Sequence, residues 1–355
     1  MNIKSYRGQY SVSFMSISEM VENVKDLTAV YVIIDKNVSD RYGTRLKDIL
    51  GKNVHFFDAN ENNKTIDGAK VIIEDMVQLE SKKATSIIAI GGGITQDISC
   101  FIASILYRGI NWYFVPTTLL AQTDSCIGSK SSLNLIPYKN VLGTFFPPKK
   151  IFICAEFLET LSDKEYNSGL GEIVKCALLE GKATFDALAN NIDSVINRDY
   201  KNLQTEIKRT LNYKKELIEI DEFDNDIRNL LNFGHTFGHA MESVSEYKIP
   251  HGQAVSIGLL IANDISLQRG YISQEFNFSI NNVIVKIISK NLLDEKYFDH
   301  EKILFSMKKD KKYSTTHNCI LLEQNGANKH PVQNLEIKSA LRNVYKILTN
   351  LDPNI

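Results

Sequence analysis

The segment LNFGHTFGHAMES (Leu231–Ser243) places two histidines four residues apart, and each follows a glycine. If the segment is a helix, His235 and His239 lie on one face, where two imidazoles suit a metal site or acid–base chemistry, although such spacing also arises by accident. Glycine inside a helix costs about 1 kcal/mol relative to alanine. Gly234 and Gly238 therefore indicate that another part of the molecule comes close to this backbone.

A carboxylate and a further histidine complete a possible set of metal ligands. Glu172 and Lys175 stand three residues apart in the apolar segment GLGEIVKCALL, and His251 precedes the apolar segment that follows IPHGQ. With His235, they make the two-histidine, one-carboxylate pattern of a catalytic zinc site. Alternatively, Glu172 and Lys175 form a partly exposed ion pair and His251 begins a helix. The long separation along the chain leaves these alternatives open.

The segment AIGGGITQD (Ala89–Asp97) has the pattern of a strand, three glycines and the start of a helix. Glycines let a phosphate approach the backbone, and a helix N-terminus favours its negative charge. The segment lacks the GxGxxG form of the common dinucleotide fingerprint, so a tight turn after a strand is an equal alternative. Upstream, Asp35 ends an apolar strand, where a carboxylate can hold ribose hydroxyls or, more commonly, cap a helix.

A polar segment follows the apolar strand pattern WYFVPTT. PTTLLAQTDSCIGSKSSLN (Pro116–Asn134) surrounds Lys130 with serines, and Lys139 and Asn140 follow in PYKNVLGTFFPP. Lysines clustered with hydroxyl and amide side chains suit phosphate or carboxylate binding. A solvated loop is the ordinary alternative for a lysine among serines.

The composition of the whole chain limits the class of protein. Its 355 residues favour about two domains, and 43% hydrophobic with 23% charged residues is ordinary for a soluble protein. The 41 basic and 42 acidic residues nearly cancel, so nucleic acid is not an expected partner. We expect no membrane association, because long apolar runs and a signal-peptide core are missing. Five scattered cysteines without a CxxC pair fit reduced, buried thiols in a cytoplasmic protein.

The strands and helices that would position these residues fall into two parts. Strands are expected at Ala29–Asp35, Thr85–Gly93 and Trp112–Thr118, and helices at Asp67–Ser81 and Gln96–Leu106. This alternation predicts a parallel sheet with helices on both faces. Helical stretches dominate from SDKEYNSGLGEIVKCALLEG onward, with few β-branched runs beyond NCILLEQ. The sequence thus predicts an α/β domain over residues 1–160 and a mostly helical domain over residues 161–355.

Taken in order, these segments resemble the 3-dehydroquinate synthase family of sugar-phosphate cyclases over nearly the whole chain. The resemblance rests on GGGITQD, YRG, PTTLLAQTDS, GSKSSLN, YKNVLGTFFPP, GLGEIVK, LLNFGHTFGHAME and HGQAV. It implies a dehydroquinate synthase-like fold, with an α/β N-terminal nucleotide-binding domain and an all-α C-terminal domain. It also implies NAD and a divalent metal, usually zinc with cobalt as an alternative, in the cleft between the domains.

The resemblance implies a role for each matching residue. The metal ligands would be Glu172, His235 and His251. The residues that act on the substrate would be Asp124, Lys130, Lys175, Lys214, Arg228, Asn232 and His239, the last of which faces the substrate phosphate. Further substrate contacts would come from Lys139, Asn140, a phosphate-closing Lys311 or Lys312, and Arg108, which reaches the neighbouring subunit of a homodimer. NAD would touch Asp35, Asn37, Glu61, Lys64, Gly92, Gly93, Asp97, Thr117 and Thr118.

The implied reaction is a step of the shikimate pathway, from 3-deoxy-D-arabino-heptulosonate 7-phosphate to 3-dehydroquinate and phosphate. NAD takes a hydride, phosphate leaves by elimination, the hydride returns, and an aldol step closes the ring. The residue types suit this lyase chemistry, since a metal acidifies the alcohol and several cations hold a phosphate and a carboxylate. NAD is regenerated, so the net reaction is not a redox reaction.

Three other functions compete with this interpretation. A related cyclase could act on sedoheptulose 7-phosphate or glucose 6-phosphate, but a substrate with a carboxylate better explains Lys214 and Arg228. A metal-dependent alcohol dehydrogenase of similar fold should lack so many phosphate-binding cations. A non-catalytic binding protein is disfavoured by the intact set of possible metal ligands.

Two positions depart from the family pattern, and a third segment is altered. Gln96 stands where the family usually has glycine, and Gln253 replaces a glutamate beside His251. GSKSS also differs from the usual GGKTG by added hydroxyl groups. An uncharged Gln253 would weaken any role of that carboxylate in supporting the metal ligands. These changes bear on the substrate and not on the fold.

Overall fold

The computed structural model describes residues 1–27, 29–51, 53–79, 82–135, 138–307 and 316–349. Met1–Leu161 and Lys214–Asp224 form one compact unit, here called the sheet unit. The chain from Ser162 onward, apart from Lys214–Asp224, forms the helical unit. The predicted domain boundary after residue 160 stays a prediction, and no sequence pattern indicated that Lys214–Asp224 would belong to the sheet unit.

The sheet unit is built on a seven-stranded sheet of order β1-β2-β9-β6-β5-β3-β4. All neighbouring strands in it are parallel except β1 and β2. The apolar runs of β3 and β5 lie inside the sheet, as strands covered on both faces require. The strands are β1 (Asn2–Ser5), β2 (Gly8–Phe14), β3 (Val30–Asp35), β4 (Val54–Phe57), β5 (Ser86–Gly91), β6 (Trp112–Pro116), β7 (Lys130–Leu135), β8 (Tyr138–Phe145) and β9 (Lys150–Ile153). The helices before the helical unit are α1 (Ile17–Lys25), α2 (Lys36–Leu46), α3 (Ile66–Gln78) and α4 (Gly93–Ile105).

Strands β3, β5 and β6 and helices α3 and α4 form where the sequence predicts them, with ends shifted by a few residues. The paired strands β7 and β8 were not predicted. Most side chains of β8 are polar or exposed. This strand therefore lacks the alternation of apolar residues that marks a half-buried strand. The lysine and serines of GSKSS therefore begin a hairpin strand instead of a solvated loop.

The helical unit contains most of the remaining helices, and α9 at its centre is buried on all sides between Gly252 and Ser266. Ser162 caps α5, because its side chain accepts a hydrogen bond from the backbone N–H of Glu165. None of the described helices is long and apolar enough to span a membrane. The helices are α5 (Asp163–Glu180), α6 (Lys182–Ile196), α7 (Tyr200–Ile220), α8 (His235–Val244), α9 (His251–Gln268), α10 (Gln274–Ile287), α11 (His300–Met307) and α12 (Asn334–Thr349).

The predicted class, an α/β domain followed by a helical domain, is confirmed, but the helical unit is not purely α. Strands β10 (Thr316–Glu323) and β11 (Gly326–Gln333) form an antiparallel hairpin. Its two-residue turn is Gln324–Asn325, and Gly326, the first residue of β11, has a φ of +136°. The Asn-Gly dipeptide thus spans the end of the turn, and Asn-Gly near a strand end is a hairpin signal. The apolar run NCILLEQ indicated only the first strand of this hairpin, β10.

Candidate active site

Three helices of the helical unit bring the predicted metal ligands together. Glu172 lies within α5, while His235 and His251 are the first residues of α8 and α9. Nε2 of His235 lies 3.7 Å, and Nε2 of His251 3.8 Å, from Oε1 of Glu172. Tetrahedral bonds of about 2.1 Å to zinc would separate neighbouring donor atoms by ~3.4 Å. Each histidine nitrogen therefore lies at almost the separation from the Glu172 oxygen that a bound metal requires, and the three donor atoms lie within 4.8 Å of one another.

The other ring nitrogens have partners that turn both imidazoles toward Glu172. Nδ1 of His251 lies 3.2 Å from a carboxylate oxygen of Glu242, and Nδ1 of His235 lies 3.3 Å from the carbonyl oxygen of Phe233. Such partners fix the tautomer and orientation of metal-binding histidines. Sequence reasoning missed Glu242, although its position three residues after His239 on α8 was an available signal.

Glu172 supplies the strongest indication that this set holds a cation. Its side chain is completely buried, and its Oε1 has no hydrogen-bond partner in the described part of the chain. Lys175, itself 1% exposed, forms an ion pair with it. Burying an ionised carboxylate is costly unless its charge is compensated. Lys175 engages Oε2, so a divalent metal held by Glu172, His235 and His251 would fit at Oε1, the oxygen that both imidazoles face.

Glycines allow the three helices to come this close. A Cβ on Gly252 would lie 1.8 Å from the carbonyl oxygen of Ser168 in α5, and a Cβ on Gly238 would lie 3.0 Å from Cα of Val255 in α9. Contacts below 3.0 Å force a shift of the backbone. Helix α9 is therefore the neighbour that the glycines of GHTFGH accommodate, as the sequence predicts.

His239 lies at the edge of the metal set. Its ring centroid is 5.4 Å from that of His235 and 5.7 Å from that of His251. The side chain reaches solvent. The pKa of His239 is nevertheless lowered, mainly by the buried surroundings of the ring and then by His251. His239, Glu242 and His251 also form a geometrically possible metal set, but its carboxylate, Glu242, is not completely buried as that of Glu172 is.

In the sheet unit, the buried Lys214 pairs with the half-buried Asp124. The ammonium of Lys214 donates to Oδ1 of Asp124 at 2.7 Å and also to its carbonyl oxygen. Asp124 belongs to a π-helical turn, Ala121–Ser125, a conformation that is rare and concentrated at functional sites. Lys130 pairs with Asp224. Asp224 was not named by the sequence, and no local pattern pointed to it.

Five of the predicted cofactor and substrate residues meet in one network beside β7 and β8. Nζ of Lys64 lies 2.6 Å from Asp97 and donates to Asn140 at 2.8 Å. Glu61 accepts a hydrogen bond from Asn134 at 2.8 Å, and Lys139 lies 3.7 Å from Glu61. Burial raises the pKa of Asp97, although Lys64 acts in the opposite direction. The structure thus places Lys139 and Asn140 with residues predicted to touch NAD.

The glycine segment lies at the carboxyl end of β5. Gly92 is the N-cap of α4 and Gly93 its first residue. Thr117 donates its backbone N–H to Gly91, and a Cβ on Gly92 would lie 3.0 Å from Thr118. An open backbone at a helix N-terminus favours a phosphate. On the neighbouring β3, Asp35 caps α2 by accepting from the backbone of Asn37 at 2.9 Å.

The other predicted substrate residues are more dispersed. Arg228 is buried and Asn232 exposed in the 3₁₀ turn Ile227–Asn232 of the helical unit. Arg108 is exposed in a left-handed turn, with a φ of +65°. Lys311 and Lys312 lie outside the described residues.

Gln253, one of the two departures from the family pattern, forms hydrogen bonds through both polar atoms of its side chain. Its side chain is 1% exposed. Its amide nitrogen donates to the carbonyl oxygen of Ile287 at 2.7 Å, and its amide oxygen accepts from the backbone of Ser289 at 2.8 Å. An ionised glutamate has no proton for Ile287. Glutamine at this position therefore holds the end of α10 to α9 without a charge.

The fold defines the class first. It is shared with the solved structure of 2-deoxy-scyllo-inosose synthase complexed with carbaglucose-6-phosphate, NAD⁺ and Co²⁺, at a TM-score of 0.84 and 24% identity over 97% of this chain and 99% of that one. The 2-epi-5-epi-valiolone synthase of Streptomyces hygroscopicus subsp. jinggangensis 5008, with NAD⁺ and Zn²⁺ bound, gives a TM-score of 0.79 at 24% identity, covering 95% of this chain and 97% of that one. The chain therefore has the same fold as these two synthases.

Sequence comparison then gives the family. Residues 54–168 match the family model 3-dehydroquinate synthase N-terminal, and residues 169–313 match 3-dehydroquinate synthase C-terminal. The 3-dehydroquinate synthase of Ruminiclostridium cellulolyticum is 32% identical over 289 residues, which cover 80% of either chain. The chain belongs to the 3-dehydroquinate synthase family, as its motifs predict.

Proposed function

We propose that this protein is a 3-dehydroquinate synthase, which converts 3-deoxy-D-arabino-heptulosonate 7-phosphate into 3-dehydroquinate and phosphate. Membership of the family supports the reaction, and the observation that carries the site is the buried Glu172 facing Nε2 of His235 and His251. The cofactors are NAD and a divalent metal. We favour zinc, because two imidazoles and one carboxylate with an open position form a catalytic zinc site, and we expect cobalt to replace it.

When bound, the metal polarises an alcohol or ketone oxygen and NAD exchanges a hydride with the substrate, so that phosphate can be eliminated without net redox change. Glu172, His235 and His251 would hold the metal. Gly92 and Gly93 would receive the NAD pyrophosphate at the start of α4, where the backbone is open.

The cations of the chain would bind and orient the substrate. Lys175 is buried beside Glu172 and would keep a positive charge next to the metal. Lys214 and Arg228 are also buried, at 4% and 5% exposure. Two buried cations besides Lys175 suit a substrate that carries both a phosphate and a carboxylate better than one that carries a phosphate alone. This match of charges supports the carboxylated substrate over those of other cyclases.

We also propose that the protein acts as a homodimer in the cytoplasm. The exposure of Arg108 supports the first point, because an exposed guanidinium is available to a neighbouring subunit. In mixtures, Arg108→Ala subunits and Glu172→Gln subunits should restore part of the activity that each homodimer lacks. Lack of any restoration, with mixed dimers demonstrated, would contradict a shared site.

Phosphate release by the purified protein with NAD and zinc tests the proposal. The seven-carbon carboxylated phosphate, sedoheptulose 7-phosphate and glucose 6-phosphate are supplied in parallel, and the carbocyclic product is identified by mass. We expect turnover of the first substrate alone, and none by a Glu172→Gln variant. Turnover of another sugar phosphate with the first inert would replace this function with that of a related cyclase.

A further inference from the structure

Gln96, the second departure from the family pattern, makes a reciprocal pair with Ser125. Its side chain lies in the first turns of α4 and is 4% exposed. The amide nitrogen donates to the carbonyl oxygen of Ser125 at 2.6 Å, and the hydroxyl of Ser125 donates to the amide oxygen at 2.6 Å. A glycine at position 96 could form neither bond. The pair is therefore specific to a chain that carries glutamine here.

This pair joins two segments with separate candidate roles. One is the glycine segment at the start of α4, where a Cβ on Gly93 would lie 3.8 Å from the hydroxyl of Ser125. The other is the π-helical turn Ala121–Ser125, in which Asp124 accepts from the buried ammonium of Lys214 through both its carboxylate and its carbonyl oxygen. Ser125 directly follows Asp124, so a bond to its carbonyl limits rotation of the same stretch of backbone.

We propose that Gln96 is a positioning residue that clamps the π-helical turn and thereby fixes Asp124 and Lys214 for the substrate. This inference rests on the proposed function, in which Lys214 binds an anionic group of the substrate. The pair also commits the hydroxyl proton of Ser125 to Gln96, so this hydroxyl does not donate toward a phosphate beside Gly93.

Steady-state kinetics of the enzyme loaded with NAD and zinc provide the main test. Gln96→Ala removes both bonds of the pair, and loss of two neutral hydrogen bonds changes binding by about tenfold. We expect the KM for the carboxylated sugar phosphate to rise by about this factor with little change in kcat. Ser125→Ala should have a smaller effect, and the double variant should be no worse than Gln96→Ala. If the increases in KM of the two single variants instead multiply in the double variant, Gln96 and Ser125 do not act as a pair.

Two controls separate positioning from simple stability. Gln96→Met keeps the length and volume of the side chain without its hydrogen bonds, so a normal KM in this variant would mean that Gln96 only fills space. Gln122→Ala removes another buried amide from the same turn, one that donates to the carbonyl oxygens of Pro116 and Cys154. If Gln122→Ala raises KM as much as Gln96→Ala at equal loss of thermal stability, the specific role of Gln96 is refuted.

Hydrogen exchange distinguishes failure of the clamp from failure of the proposed function. In Gln96→Ala, the backbone amides of Ala121–Ser125 should exchange faster than in the wild type. The same amides should exchange equally fast in Gln96→Met, which also lacks the hydrogen bonds to Ser125. Faster exchange in a protein whose wild type turns over no sugar phosphate would reject the function and retain the clamp. Unchanged exchange and KM in an active enzyme would reject the clamp alone.

Discussion

The helical unit and the sheet unit hold their candidate functional groups by different means. In the helical unit, Glu172, His235 and His251 are positioned by backbones that approach closely at Gly238 and Gly252. In the sheet unit, Lys64, Lys130 and Lys214 are held mainly by carboxylates of neighbouring segments. Backbone packing leaves the donor atoms directed at a common point, whereas ion pairs must exchange partners before they can bind a ligand. The site in the helical unit therefore suits a permanently bound metal, whereas the cations of the sheet unit suit anionic ligands that bind and dissociate.

The largest effect is expected from removing a metal ligand of the helical unit. His235→Ala should lose the metal and, with it, activity by a factor of roughly 10³ or more, since a metal supplies several kcal/mol of stabilisation to the transition state. Metal content by atomic absorption and phosphate release measure the two losses. His317→Ala in β10, where the ring contacts Asn334, serves as the histidine control. Retained zinc in His235→Ala would refute the ligand assignment.

Gly252→Ala tests the packing that positions these ligands. The added Cβ would lie 1.8 Å from the Ser168 carbonyl oxygen, and overpacking of this kind costs about 1–3 kcal/mol or more. We expect a lower free energy of unfolding by denaturant and a weaker metal site. Gly43→Ala in α2 is the matched control, because its Cβ would have nothing closer than 3.9 Å. That variant should be neutral or more stable; a similar loss in both would contradict the packing argument.

Glu242→Gln sharpens the comparison further, because it alters the orientation of one ligand and leaves the backbone unchanged. Glutamine keeps an oxygen for Nδ1 of His251 but removes the negative charge, and such changes cost about 10–100-fold in metal affinity. Competition with a chelator measures the affinity. Glu246→Gln, an exposed residue two positions beyond α8 that pairs with Lys248, should leave it unchanged. Equal affinities in wild type and Glu242→Gln would remove Glu242 from the metal site.

Burial and the distance of contacts along the chain explain which features could be predicted from the sequence. Apolar runs predict β3, β5 and β6, because a strand buried on both faces must be apolar throughout. The family and fold class followed from ordered motifs and are confirmed. The hairpins were missed or half seen, since β8 is largely exposed and β10 pairs with β11 through the turn Gln324–Asn325. Pairs such as Lys130 with Asp224 depend on tertiary contacts that no local pattern encodes. The individual site assignments remain predictions.

The smallest effect concerns Asp35 in the sheet unit, for which the sequence left a cap and a cofactor role open. The structure shows the cap, through the backbone of Asn37. Asn is as good an N-cap as Asp, whereas alanine costs about 1 kcal/mol. Asp35→Ala should therefore lower the free energy of unfolding by about that amount, and Asp35→Asn should not. If Asp35 also binds the ribose of NAD, both variants should weaken NAD binding, measured by calorimetry. Normal NAD affinity in the stable Asp35→Asn protein would mean that Asp35 serves only as a cap.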